Sequence, residues 1–476
     1  MVIIGQRDSI LIPALTGFRT SPGRLRGVRF LLTRFGETSI SQEDLMDMVF
    51  LRLDTVAVLS VNHGQPSRLH WAQILPPNAD DTPYLIHPSL PWDHVDVDFT
   101  AQTEALEEEL ARTGQRIETD AREDTALLVS VGTASRGVLE ASLMELGDLA
   151  RTAGLDVAGQ IVQRVGKFNP KHILGKGKIA ELEILALQKN ASVLIFDCEL
   201  SPTQMRNLSR ITERKVLDRT QLILDIFAQH AVSKAGKLQV ELAQLKYTLP
   251  RLVGQNRALS RLAGGIGGRG PGETKLELDR RKTRDRIALL KGELKRLRRH
   301  RQATRANRSR AGVPIVALVG YTNAGKSTLL NTLTHSDVLV ENKLFATLDP
   351  TSRRLRFPQD REIILTDTVG FIKELPEELK EAFMATLEEL EAADLLVQVA
   401  DASHQEVEAQ VRAVDTLLIG LGVDEIPKIL VMNKDDLLDD PTRERVMNTF
   451  PGAVFVSARK RPSLAPLVEA ILSRMP

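Results

Sequence analysis

In the C-terminal third of the chain, eight consecutive residues have the types and spacing that hold a polyphosphate: Gly320-Tyr321-Thr322-Asn323-Ala324-Gly325-Lys326-Ser327. They fit G-x-x-x-x-G-K-[ST] in the context the pattern requires, after the apolar run PIVALV (Pro314–Val319) and before a helical stretch that opens at Thr328. The glycines let backbone N–H groups close around phosphate oxygens with no Cβ in the way. The helix N-terminus adds the positive end of its dipole. Lys326 is expected to reach the β- and γ-phosphates, and the Ser327 hydroxyl to ligate Mg2+.

A phosphate loop does not choose the base; three later motifs do. Asp367-Thr368-Val369-Gly370 follows the strand EIIL and fits D-x-x-G, with Asp367 holding Mg2+ through water and the Gly370 N–H meeting the γ-phosphate. Asn433-Lys434-Asp435-Asp436 follows the strand KILVM and fits N-K-x-D. The Asp436 carboxylate can accept from guanine N1–H and N2–H2 together, a donor pair that adenine lacks. A carboxylate left without them is costly, so the site discriminates. Ser457-Ala458 ends the strand AVFVS, where a backbone N–H can donate to guanine O6, and Arg459 completes that edge. All these motifs lie in order at strand C-termini, where ligands bind in such sheets. They predict GTP as the substrate and its hydrolysis to GDP and phosphate as the reaction.

FATLDPTSR (Phe345–Arg353) is the natural first switch. Phe345, Ala346, Thr347, Leu348 and Asp349 are expected at the nucleotide, with Thr347 rather than Thr351 joining the Mg2+ shell. Lys326, Thr347 and Gly370 are then the expected catalytic groups, and Ser327 and Thr347 the metal ligands. Phe371 stands where many GTPases carry a water-orienting glutamine. An apolar ring cannot orient water, so another group, a monovalent cation or a partner must. Asn323 is a candidate K+ ligand, because other GTPases with Asn in this place use K+.

A nucleotide-binding sheet needs roughly the last 160 residues, and 476 residues suggest about three domains. The fold class expected is α/β: a P-loop GTPase domain over 313–476, preceded by an N-terminal α/β domain with a long helical hairpin. Residues 1–92 read as a small α/β module, with LDTVAVLSV (Leu53–Val61) as a buried strand. His63, His70, His87 and His94 there show no metal-ligand spacing. From Asp93 to Asp124, eleven acidic and three basic residues give net −8, read as an acidic linker or solvated helix face. Residues 125–218 alternate strand and helix, which implies a small parallel sheet.

From about Thr220 to residue 312 the period becomes helical. The first arm carries Leu222, Ile226, Val232, Leu238, Leu242 and Leu245, and the second runs from Glu277 to about Arg308 with a stripe of Leu289, Leu290, Leu294 and Leu297. The glycine-rich loop 264–272 lies between them, which makes a helical hairpin. Between Arg280 and Arg310 the second arm has fourteen Lys/Arg against Asp285 and Glu293, net +12. A run this one-sided repels itself unless an anion is near, and nucleic acid is the expected partner.

Overall charge is balanced, 63 basic against 62 acidic residues. No run of 18 apolar residues exists, so no membrane span is expected. MVIIGQRDSI lacks the basic-then-apolar pattern of a secretory signal. Cys198 is the only cysteine and reads as a core residue; no internal disulfide is possible, and a reducing cytoplasm is expected.

GYTNAGKST (Gly320–Thr328), FATLDPT (Phe345–Thr351) and DTVGFI (Asp367–Ile372), with GGIGGRGPGETKLELDRR (Gly264–Arg281) and FNPKHILGKGKIAEL (Phe168–Leu182), resemble the HflX family of translation-factor-related GTPases. The resemblance covers about Thr125 onward and extends loosely over 1–92, as in longer members with an N-terminal extension. It implies a ribosome-associated GTPase that acts in the cytoplasm as a monomer and binds chiefly the large (50S) subunit. The basic hairpin and its glycine-rich loop would meet rRNA, and 70S particles would be split or rescued under stress. Two other readings are a GTP-dependent assembly factor for a protein or RNA complex, and an ATP-using RNA remodeller. GKGK (Gly175–Lys178) lacks the spacing of a second phosphate loop.

Overall fold

The computed structural model describes residues 25, 27–36, 38–51, 53–75, 84–120, 125–189, 191–212, 214–252, 275–309, 313–334, 344–345, 351–356, 362–371 and 390–475. The chain divides into two compact units. One is 1–143, 154–197 and 204–216; the other is 144–153, 198–203 and 217–476.

In the first unit, β1 (Arg29–Phe35), α1 (Gln42–Phe50) and β2 (Thr55–Asn62) form a parallel crossover, and β3 (Gln65–Ile74) returns antiparallel to pair with β4 (Tyr84–Ile86) and β5 (Leu90–Pro91). Ser41 starts α1 through a capping box with Asp44, which satisfies two donors of the first turn. Met48, Val49, Leu53 and Val56 are buried against this sheet together with Leu106. Leu106 belongs to α2 (Phe99–Asp120, 22 residues), so most of the acidic stretch takes the helical of its two readings. Its approach is packed as well: Val95, Val97 and Phe99 lie against Ala57, Leu69 and Trp71.

β6 (Thr125–Gly132), α3 (Arg136–Thr152), β7 (Asp156–Arg164), α4 (Lys176–Gln188), β8 (Val193–Phe196), α5 (Pro202–Thr212) and β9 (Lys215–Asp218) follow in alternation. The sheet order is β7-β6-β8-β9, with β6 parallel to both neighbours. Leu127, Leu128, Leu194, Ile195 and Phe196 are fully buried, as expected for strands covered on both faces.

In the second unit, α6 (Arg219–His230) and α7 (Lys234–Arg251) replace the single first arm expected from the leucine spacing. The chain breaks at Ala231-Val232-Ser233 because Ser233 caps a new helix, its Oγ accepting from the Gly236 N–H at 2.9 Å. Val232 is accordingly exposed. Asp218 caps α6 through the Gln221 N–H, and the same buried carboxylate accepts from the Leu200 N–H at 3.1 Å and the Tyr247 hydroxyl at 2.5 Å. Arg251 lies 3.5 Å from Asp218 and 3.4 Å from the Tyr247 ring centroid, which fixes the end of α7.

The second arm, α8 (Lys275–Ser309), packs Ile287, Leu290, Leu294 and Leu297 on Leu238, Leu242 and Leu245. Leu289, assigned to the stripe by sequence, is 51% exposed, and Ile287 takes that place. Glu241 and Arg286 bridge the arms in a bidentate pair. The glycine-rich loop 264–272 lies outside the described residues.

The GTPase sheet comprises β10 (Ile315–Gly320), β11 (Thr351–Arg356), β12 (Glu362–Asp367), β13 (Leu395–Asp401), β14 (Lys428–Asn433) and β15 (Val454–Phe455), in the order β11-β12-β10-β13-β14-β15. Only β11 is antiparallel among the recorded pairs. Among the described residues, helices α9 (Lys326–Thr334), α10 (Val407–Gly420), α11 (Asp440–Thr449) and α12 (Ala465–Arg474) accompany it. Along β10, Val316 and Leu318 enter one core with Leu329 and Leu467, while Ala317 and Val319 enter another with Val414 and Leu418. That alternation covers both faces and leaves only the strand ends for chemistry.

Candidate nucleotide site

The C-terminal ends of β10, β12 and β14 and the Ser457–Arg459 loop line one cavity of about 640 Å3. Thr322, Asn323, Gly325, Lys326, Ser327, Thr328, Phe345, Thr368, Gly370, Asn433, Lys434, Asp436, Ser457, Ala458 and Arg459 all face it. Gly320, Tyr321, Ala324, Asp367 and Val369 form its supports without lining it. Asp435 turns to Arg443 at 2.8 Å. Ala346, Thr347, Leu348 and Asp349 lie outside the described residues.

Close packing dictates the glycines. A Cβ on Gly320 would stand 2.1 Å from the Val399 carbonyl oxygen, and one on Gly325 would stand 2.3 Å from Asn433 Nδ2. Gly325 also has φ +92, and a Cβ on Gly370 would lie 2.8 Å from Thr322 Cα. The loop is fastened to the D-x-x-G segment by backbone bonds from the Thr322 N–H to the Phe371 oxygen (2.9 Å) and from the Phe371 N–H to the Gly320 oxygen (3.0 Å). The Phe371 ring is buried with Tyr321 and Leu390. It is a core side chain and offers nothing to the cavity.

Lys326 Nζ donates to the carbonyls of Gly320 (3.1 Å) and Tyr321 (2.8 Å). Complete burial pushes its pKa down to about 8, with Asp367 opposing the shift. The Ser327 hydroxyl donates to Asp367 Oδ2 at 2.6 Å. A hydroxyl at the start of α9 and a carboxylate at the end of β12 are hard oxygen donors of the kind Mg2+ prefers, and that ion keeps several waters. When bound, the ion neutralises charge on the terminal phosphates.

At the Asp436 end of the cavity, the Ser457 hydroxyl holds the Asp436 carboxyl below the usual carboxylate range, with Lys460 and Arg459 contributing. Asn433 ties the loops together: its Nδ2 donates to the Ala324 oxygen and its Oδ1 accepts the Ala458 N–H, both at 2.8 Å. The Ser457 N–H donates to Ser463 Oγ at 2.9 Å. The backbone donors of Ser457 and Ala458, of which one is expected to meet guanine O6, are therefore both engaged within the protein. The next one along, the Arg459 N–H, has no partner among the described residues.

Five wall residues were not suggested by any motif: Leu344, Leu437, and Asp148, Arg151 and Thr152 of α3. Tyr321 and Leu344 show why α3 stands there. The Tyr321 hydroxyl donates to Glu145 Oε1 at 2.6 Å, and the Leu344 N–H donates to Thr152 Oγ1 at 3.2 Å.

Three family models match in series: one described as GTP-binding GTPase N-terminal over residues 140–228, one as GTP-binding GTPase Middle Region over 230–308, and one as 50S ribosome-binding GTPase over 315–434. A protein named GTPase HflX from Caldanaerobacter subterraneus subsp. tengcongensis is 49% identical over 364 residues, which are 76% of this chain and 81% of that one. The chain belongs to the HflX family of GTPases. The HflX GTPase of Escherichia coli K12 is 46% identical over 335 residues, 70% of this chain and 79% of its own length. HflX membership together with the α/β architecture makes this chain a P-loop enzyme that binds and hydrolyses GTP. No helix among the described residues is long and apolar enough to cross a membrane.

Proposed function

We propose that this GTPase acts on ribosomes, binding the large subunit through the basic arm and separating or rescuing 70S particles under stress. The observation that carries the reading is α8. Its apolar stripe is spent on α7, while Arg281, Lys282, Arg284, Lys291, Lys295, Arg296, Arg298 and Arg299 are exposed. Such a surface has its counterpart in a phosphate backbone, and its affinity should fall steeply with salt, because releasing counterions gains less free energy as salt rises. The description of the matching GTPase-domain model, 50S ribosome-binding, supports the same partner.

In this reading Lys326 and the Gly370 N–H contact the terminal phosphates, Ser327 and Thr347 ligate Mg2+, and Asp436 reads guanine. Asn323 lines the cavity at φ 60 and is the proposed K+ ligand; exchanging K+ for Na+ should then slow turnover. The test is co-sedimentation with purified large subunits across a salt series, combined with phosphate release. Large subunits should bind more tightly with a non-hydrolysable GTP analogue and raise turnover at least tenfold, about 1.4 kcal/mol of barrier. Salt-insensitive binding, or turnover that ribosomes leave unchanged, would point instead to an assembly factor that holds proteins.

A further inference from the structure

The wall that α3 adds to the nucleotide cavity brings a charged group that the GTPase fold does not supply. The end of α3 is registered to the nucleotide loops at several points. Glu145 accepts from the Tyr321 hydroxyl through one oxygen and holds Arg219 at 2.8 Å through the other. Thr152 accepts the Leu344 N–H. Next to Leu344, Phe345 sits in the left-handed region at φ 56, its ring edge-on to Phe227 with centroids 4.8 Å apart. These contacts fix where Arg151 stands relative to the phosphate loop and the first switch.

Arg151 Nη1 pairs with Asp148 Oδ1 at 2.8 Å, and the two side chains are 62% and 61% exposed. A pair so open to water is cheap to break. A guanidinium presents a planar fork that matches phosphate oxygens, and it stays charged in any environment. Phe371 buries its ring in the core, so the position after Gly370 gives no polar group to the reaction.

We propose that Arg151 leaves Asp148 when GTP fills the cavity and pairs with the polyphosphate, stabilising the charge that develops as the terminal phosphate departs. The inference rests on the assignment of this cavity to GTP. The reaction is hydrolysis: a water oxygen bonds to the γ-phosphorus and the bond to the β–γ bridging oxygen breaks. The electron pair leaves with GDP, and the water proton ends on inorganic phosphate. Arginine supplied to this charge from outside the nucleotide-binding loops is an effective device in other GTPases. Here α3 of the same chain delivers it.

The test uses full-length Arg151→Ala, Arg151→Lys and Asp148→Asn with GTP turnover, fluorescent GDP binding, and GDP retention with aluminium fluoride and Mg2+. Arg151→Ala should lower turnover at least tenfold and abolish the extra retention given by aluminium fluoride, with GDP affinity within threefold of the parent. Arg151→Lys should fall between, since it keeps the charge and loses the fork. Asp148→Asn frees the guanidinium and should raise turnover at least twofold. A loss below threefold in Arg151→Ala, or equal losses in Arg151→Ala and Asp148→Asn, overturns the proposal. Lys326→Ala separates it from the assignment beneath: if that variant binds GDP like the parent, the cavity is not the nucleotide site and the inference falls with it.

Discussion

Two glycine- and lysine-rich turns open helices in this chain, and they differ in what surrounds them. In the phosphate loop, a Cβ on Gly320 would meet a backbone oxygen at 2.1 Å and one on Gly325 an amide nitrogen at 2.3 Å, while Lys326 is buried. At Gly175 and Gly177, before and inside α4, an added Cβ meets nothing within 4 Å. Lys178 there is partly exposed and pairs with Glu181 at 2.5 Å. One turn is glycine because backbone and side chains press on it; the other has room for a side chain. Composition makes the two look related, but only the first is built to bring amides and an ammonium against an anion.

Gly325→Ala should break the first turn outright. It forces a Cβ into a left-handed position and against Asn433, which holds both the Ala324 and Ala458 sides. GTP affinity by fluorescence titration should fall at least a thousandfold, about 4 kcal/mol.

The buried lysine gives the next effect. Lys326 titrates near 8 in the folded protein against 10.5 in an unfolded chain, so the folded state binds its proton less tightly. Below pH 8 the fold carries the full cost of burying the charge, roughly 3 kcal/mol for about 2.5 pH units. Stability without nucleotide should therefore rise between pH 8 and 10.5. Melting curves of Lys326→Met should lack this rise, and a variant that keeps it would assign the titration elsewhere.

Asp436→Asn should weaken GTP binding by about 1–3 kcal/mol, the cost of an unsatisfied polar pair. It should also improve binding of xanthosine triphosphate. Equal affinity of the parent protein for ATP and GTP would contradict the role given to Asp436. The smallest effect belongs to the second turn. Gly177→Ala, inside α4, should leave GTP turnover unchanged and stabilise the protein by up to about 1 kcal/mol in denaturant titration, because alanine favours the helix. A loss of turnover there would erase the contrast between the turns.

The motifs were legible because each is local: an apolar strand, a short loop with fixed offsets, then a helix or turn. Asp367, Asn433 and Ser457 reached one edge because parallel strands deliver their ends together. What stayed hidden depends on contacts distant in sequence. Nothing near Asp148 or Arg151 marks them as wall residues; Tyr321 and Leu344 bring α3 there from more than 170 positions away. The engaged Ala458 N–H follows from Asn433, whose motif describes spacing and not partners. The split of the first arm was missed because leucine periodicity runs through Val232, while a single capping serine overrides it. The acidic stretch was left between linker and helix face because charge dominates its composition; a few apolar residues, Leu106 among them, suffice to dock α2.

The knot around Asp218 has a mechanical consequence. Tyr247 and Arg251, in the last turns of α7 before residues 253–274, grip Asp218; its chain neighbour Arg219 holds Glu145, and Glu145 holds Tyr321 in the phosphate loop. A pull exerted at the end of the hairpin arm thus has three noncovalent joints to cross before it reaches the loop that wraps the phosphates. If force is transmitted along it, Tyr247→Phe and Tyr321→Phe should be non-additive in a double-mutant cycle on GTP turnover, by about 0.5 kcal/mol or more. Additive effects would mean that the joints slip.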